Sequence, residues 1–271
     1  MKKATTSFLL LITIFLNSCS SLKLPGTKEP TDAEINDQAA KAYVEVKSKS
    51  KISTHKEWND MVQRVARRIA VASGENFQWE TVLIESSEVN AWCMPGGKIA
   101  VYTGIMPVLK TEAALAAVLG HEVAHATLRH GKQGYVRAMN ENFIGMIVGG
   151  AAMIGGQFLC KTSTCKTMAA LGGAAAGFAI TFFSRKFSRG DESAADQTGQ
   201  IYMARAGYDP SEAPRLWDRM NASHQGSAPP EFMSTHPSDE HRKVALNSWM
   251  GEAKAAYASA PHKYGLGSPI N

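Results

Sequence analysis

His121, Glu122 and His125 form the pattern His-Glu-x-x-His. On a helix, residues four apart lie about 40° apart around the axis, so the two imidazoles point the same way. Two convergent imidazoles suit a zinc ion. A carboxylate one residue after the first histidine is placed to take a proton from a water on that ion. Five letters recur by chance, so the surrounding residues must carry the reading. Ala114, Leu115, Val118, Leu119, Val123 and Ala124 make the segment apolar around most of its circumference, which predicts a central, buried helix. Polar His121, Glu122 and His125 inside such a helix are costly unless paired or bound to a metal.

A catalytic zinc takes three protein ligands and keeps one position open. The metzincin pattern needs glycine at 128 and histidine at 131; the chain has Leu128 and Gly131, which excludes that class. His130 lies five residues after His125, about 140° round a helix, and is expected to point away as a surface or helix-end histidine. Glu192 is the best third ligand. Ser188-Arg-Gly-Asp191 reads as a capping box, Glu192 falls in the first turn of the helix it opens, and Asp196 shares its face. The alternative for Glu192 is a helix N-terminal carboxylate favoured by the dipole. Asp196 fits as acceptor of the other ring N–H of a zinc histidine, or as an ordinary helix-surface aspartate. His236, followed by Pro237, either steadies an oxyanion near the open zinc position or is a satisfied structural histidine.

The elements that must position these groups are legible in the spacing. Thr31-Asp-Ala-Glu34 opens a helix with a capping box and runs to about Lys51. Trp58, Met61, Val62, Val65, Ile69 and Ala70 recur at three and four residues, an amphipathic helix that Ser73-Gly74 ends. Residues 77–84, 89–93 and 98–103 read as three strands of a small sheet, antiparallel in part, with Met94-Pro-Gly-Gly97 as a turn. Thr111-Glu112 opens the His-Glu-x-x-His helix, and Gly131 is expected to cap its end. Residues 143–183 are rich in Gly and Ala around a polar tip. They predict a helical hairpin packed on the domain, with a hairpin that enters a membrane as the alternative. Residues 251–271 read as a small, polar, loose tail.

With 44% hydrophobic residues in 271, the chain can bury a proper core. Residues 1–18 read as a lipoprotein signal peptide. Lys2 and Lys3 give a positive start, and residues 8–16 an apolar core shorter than the roughly 20 residues that span a bilayer. Leu16-Asn-Ser-Cys19 resembles the bacterial lipobox, which implies cleavage before Cys19, a lipid on its thiol and a membrane anchor. Ser20 in place of an aspartate then favours the outer membrane, facing the periplasm, with residues 19–34 as a tether and 35–250 as the domain. The net charge of +5 falls to about +3 without Lys2 and Lys3, and no basic run interleaves with aromatics, so no nucleic-acid partner is expected. Cys160 and Cys165 would close a short disulfide loop in an oxidising compartment, worth about 2 kcal/mol, leaving Cys93 as a small buried packing residue, with a reactive thiol as the alternative.

Four motifs stand in order: Asn90-Ala-Trp-Cys-Met-Pro-Gly-Gly-Lys-Ile-Ala-Val-Tyr-Thr-Gly104, the His121–His125 pattern, Ser188-Arg-Gly-Asp-Glu-Ser-Ala-Ala-Asp196, and Ser234-Thr-His-Pro237 with Arg242. Together they resemble the zinc metallopeptidase family of the CAAX prenyl protease and the HtpX heat-shock protease. The nearest branch is the small periplasmic lipoprotein peptidases such as LoiP, related to BepA. The resemblance covers residues 35–250 and implies an α+β, mainly helical, zincin-like (gluzincin) domain with a small β-sheet. It also implies one Zn2+ held by His121, His125 and Glu192, with Glu122 as base, His236 at the oxyanion and Asp196 behind a ligand. Asn90 would lie near an edge strand that holds extended substrate. The implied substrates are unfolded or misassembled envelope polypeptides; the alternative is a chaperone-like assembly lipoprotein with a latent zinc site. Cys93 departs from the small or apolar residue usual in the family.

Overall fold

The computed structural model describes residues 29–149, 173–184, 186–222, 231–236 and 241–270. Helix α1 (Asp32–Lys49) starts at a Thr31 cap whose reciprocal capping box with Glu34 is formed. Helix α2 (Lys56–Ser73) buries Met61, Val62, Val65, Ala66, Ile69 and Ala70 along one stripe and ends at left-handed Gly74. Strands β1 (Glu80–Ile84), β2 (Ala91–Met94) and β3 (Lys98–Tyr102) form a mixed sheet in the order β1-β3-β2. β1 runs parallel to β3, and β2 antiparallel to it.

Both faces of this sheet are covered. Leu83, Ala91, Cys93, Ile99 and Val101 pack into a core with α2 and the His-Glu-x-x-His helix, α4 (Glu112–Thr127), which follows the short α3 (Met106–Leu109). The alternate residues Val82, Ile84, Trp92, Met94, Ala100 and Tyr102 pack into a second core with α1 and with α6 (Gly173–Phe183), the helix after α5 (His130–Gly149). Double coverage is why every residue of β2 and β3 is buried, lysine included. The second arm of the Gly-rich segment thus supplies Phe178, Ala179 and Phe183 to a core. Its first arm belongs to a helix that starts at His130 and not near residue 143. The hairpin tip, with Cys160 and Cys165, lies outside the described residues, as do Cys19 and the leader. Among the described residues no helix is long and apolar enough to cross a membrane.

Helix α7 (Arg189–Arg205) starts at Ser188 with the expected capping box from Asp191. It lies against α4 at backbone distance. A Cβ on Gly120 would fall 2.5 Å from the Gly199 carbonyl oxygen, and one on Gly199 2.6 Å from the His121 nitrogen. Only a glycine pair permits that approach. Helices α8 (Glu212–Ala222), α9 (Glu231–Thr235), α10 (His241–Ser248) and α11 (Met250–Ala258) complete the domain.

Two local expectations fail. The end of α4 is not capped by Gly131: Leu128 is the cap, Arg129 takes the left-handed conformation at φ 63°, and Gly131 sits inside α5. Residues 251–270 are not loose either. Beyond α11 the chain returns to the start of α4, where Glu112 N–H donates to Ser268 O at 2.9 Å and Ala113 N–H to Leu266 O at 3.0 Å. Thr111 Oγ1 takes the Ala114 N–H at 3.1 Å. Three of the four donors that a helix start leaves unpaired are therefore matched. Small polar residues look unstructured in a sequence because the backbone bonds that hold them leave no side-chain pattern.

Candidate metal centre

Helix α4 is buried on every side, and His121, Glu122 and His125 are 4%, 2% and 3% exposed. The one-turn spacing sets His121 Nε2 3.1 Å from His125 Nε2. The glycine contact between α4 and α7 brings Glu192 onto the same point. Its Oε2 is 3.4 Å from His121 Nε2, and its Oε1 3.4 Å from His125 Nε2. Helix α9 delivers His236, whose Nδ1 is 3.1 Å from His121 Nε2 and 3.0 Å from Glu192 Oε1. One donor atom from each of the four residues lies within 4.8 Å of every other.

This donor set fits a tetrahedral ion. Donors about 2.0–2.1 Å from a tetrahedral zinc stand roughly 3.3 Å apart, close to the separations found. Glu192 Oε2 is buried and makes no hydrogen bond; its nearest charged and ring nitrogens are Arg242 Nη1 at 3.2 Å and His121 Nε2 at 3.4 Å. Burial would raise the Glu192 carboxyl, but His236, His121 and His125 hold it well below the usual carboxylate range, so it stays ionised. Burial lowers His125, which keeps that imidazole neutral and able to ligate.

Asp196 lies one turn along α7, with Oδ1 2.9 Å from His121 Nδ1. Arg242 grips the same carboxylate through Nε and Nη2, the latter at 2.7 Å from Oδ1. Burial would raise Asp196, but Arg242 and then His121 hold it low. Glu122 has a different setting. Burial pushes its carboxyl up to about 7, against His236 and Arg242 and with the Glu192 charge adding to the rise. It accepts a hydrogen bond from the Cys93 backbone N–H, while its Oε1 has no partner and lies 3.5 Å from His236 Nε2. The rings of Phe187 and Phe232 stack on the two sides of His236, at 5.2 and 4.9 Å between centroids.

A model of the peptidase family M48 matches residues 53–250. The chain belongs to peptidase family M48. Its metallopeptidase domain is 35% identical over 198 residues to the fission yeast (Schizosaccharomyces pombe) protein named mitochondrial metalloendopeptidase OMA1, covering 71% of this chain and 53% of that one. The Arabidopsis thaliana protein of the same name is 34% identical over 172 residues, 64% of this chain and 32% of its own. The Escherichia coli (strain K12) beta-barrel assembly-enhancing protease is 29% identical over 177 residues, 65% of this chain and 35% of its own. The chain thus spans about half or less of the length of these relatives. The bacterial outer-membrane location expected from the leader is overturned by the relatives from yeasts, plant and fish, all named mitochondrial enzymes.

Within the M48 domain, His121, His125, Glu192, His236, Glu122 and Asp196 are brought into one buried cluster. Asn90 is not part of it. It is buried one residue before β2, an outer strand of the sheet, and its carbonyl accepts Tyr102 N–H at 3.1 Å. Cys93 is buried, as a packing residue should be. His130 contradicts its expected surface place. It is 6% exposed, and its Nδ1 lies 2.9 Å from His125 Nδ1. A uniform helix would have turned it away; the break at Arg129 turns it back, and no residue pattern announces a left-handed arginine. Arg242 and the Gly120–Gly199 contact also had no assigned role. An arginine in the interval after Ser234-Thr-His-Pro237 and unpaired glycines within helical runs were the available signals.

Proposed function

We propose that this chain is a zinc-dependent endopeptidase acting on extended segments of unfolded or misassembled proteins. The observation that carries it is the convergence of His121, His125, Glu192 and His236, with Glu122 Oε1, which makes no hydrogen bond, 3.5 Å from His236 Nε2. Zinc bound there supplies Lewis-acid polarisation of a peptide carbonyl and of a water. Glu122, with a carboxyl near 7, takes the proton of the attacking water and returns it to the leaving amine. Asp196 and Arg242 fix the His121 ring. The outer edge of β2 is suited to hold substrate as an added strand, which reads backbone more than side chain and favours unfolded polypeptide. The test measures hydrolysis of a denatured, fluorescently labelled protein by wild type and Glu122→Gln at equal zinc content. The variant is expected to lose about 10²–10⁴-fold in rate. Full turnover by a zinc-loaded Glu122→Gln sinks the reading.

A second reading rests on one specific contact. His236 Nδ1 stands at the fourth corner of the donor cluster, where water has to enter, so the site is latent until His236 swings out. His236→Ala separates the two. If His236 steadies an oxyanion, kcat falls by about 10²–10³; if it closes the site, basal hydrolysis rises.

A further inference from the structure

Arg129 joins α4 to α5 at φ 63°, in the left-handed region that side chains with a Cβ resist. Four hydrogen bonds hold it there. Its Nε is 2.9 Å from Asp32 Oδ2, its Nη1 is 2.9 Å from Glu75 Oε1 and 2.6 Å from Thr127 O, and its Nη2 is 3.4 Å from Glu75 Oε2. A costly backbone state held by partners from two other parts of the fold marks a position whose geometry is used. Its local effect is on the next residue. In an unbroken helix His130 would sit about 140° from His125. The break returns it to the edge of the His125 ring, with the two Nδ1 atoms 2.9 Å apart and both side chains buried.

Resting on the metal site proposed above, we infer that His130, aimed by Arg129, is a positioning residue that accepts the His125 Nδ1–H and so fixes the His125 Nε2 lone pair on the metal. The chemistry follows from the ring. His125 turns Nε2 toward His121 and Glu192, and with the metal on that nitrogen a neutral His125 carries its proton on Nδ1. The atom facing that proton is His130 Nδ1, which accepts only if His130 carries its own proton on Nε2. His130 Nε2 lies 3.7 Å from Asp191 Oδ1. Asp191 is the capping-box residue of α7 and the neighbour of Glu192. Both rings of the metal pair are thereby backed: His121 by Asp196, His125 by His130.

Zinc alone is the probe, and its affinity is read by chelator competition on metal-free protein. His130→Ala is expected to weaken zinc about 10- to 100-fold. His130→Asn, whose Oδ1 replaces Nδ1 as acceptor, is expected to return to within a few-fold of wild type. An unchanged affinity in His130→Ala overturns the inference, as does equal weakening in both variants when their metal-free melting curves match wild type. A measurement without substitution guards against misfolding: nitrogen NMR of zinc-loaded wild type should show His130 as the Nε2–H tautomer, and an Nδ1–H tautomer overturns the inference. Failure of wild type to bind zinc at all is a separate result, and it removes the metal reading itself.

Discussion

Arg242 is 6% exposed, clasps Asp196 with two nitrogens and lies 3.6 Å above the Trp217 ring. A third nitrogen, Nη1, stands 3.2 Å from Glu192 Oε2. One guanidinium therefore neutralises the aspartate behind one candidate ligand and touches the carboxylate of another. Arg242→Ala leaves Asp196 buried with only the His121 ring as partner, and removing one member of a buried ion pair typically costs about 3–5 kcal/mol. Urea denaturation of the metal-free protein should show a loss of that size, and a shift below 1 kcal/mol would show that the pair contributes little. At this scale the convergence of the candidate site residues was largely readable. His121, Glu122, His125, Glu192 and Asp196 follow from i, i+4 geometry and capping, which are local. The place of His130 and the role of Arg242 were not readable, because they depend on a backbone break and on a helix approaching from far along the chain.

Among the elements, the start of α4 carries the clearest electrostatic device. Glu112 accepts bonds from Arg64, Arg68, Tyr208 and Ser268 N–H. Burial would raise its carboxyl, but Arg64, Tyr208 and the Ser268 N–H hold it at about 2. Its ordinary value is 4.5. A carboxyl depressed by folding adds stability that is present above its unfolded value and disappears as pH falls through the folded one. The window is therefore about pH 4.5 down to 2, and the contribution at neutral pH is about 3 kcal/mol. Glu112→Gln should lower the melting temperature at pH 7 and flatten its acid limb across that window. A melting curve with wild-type pH dependence would count against the clamp. The helices and strands themselves were mostly legible, since α1, α2, α4 and α7 announce caps and apolar stripes. What spacing could not supply was the pairing of residues 265–270 with α4, made through backbone atoms.

Among the described residues, a three-stranded sheet separates two cores, and α4, which carries His121 and His125 of the candidate metal site, packs in one of them. The other rests on α6 through Phe178, which is 1% exposed. Phe178→Ala is expected to cost about 3–5 kcal/mol of global stability. Because the cavity opens on the far face of the sheet, zinc affinity per folded molecule should change little. Denaturation combined with chelator competition tests this, and a large loss of zinc affinity in the folded variant would mean that the two cores are coupled. The family architecture was legible from four ordered motifs, but the second core was not. Its α6 contribution comes from a stretch whose Gly and Ala content reads equally as packed hairpin or membrane segment.

The bonds between Ser268 and Glu112 also have a consequence in time. They join residues 156 positions apart. A chain emerging from the ribosome at about 5–20 residues per second makes α4 roughly 8 to 30 seconds before the residues that complete its first turn. Glu192 and His236 arrive in the same interval. For much of that interval α4 stands without the other two members of the candidate metal cluster.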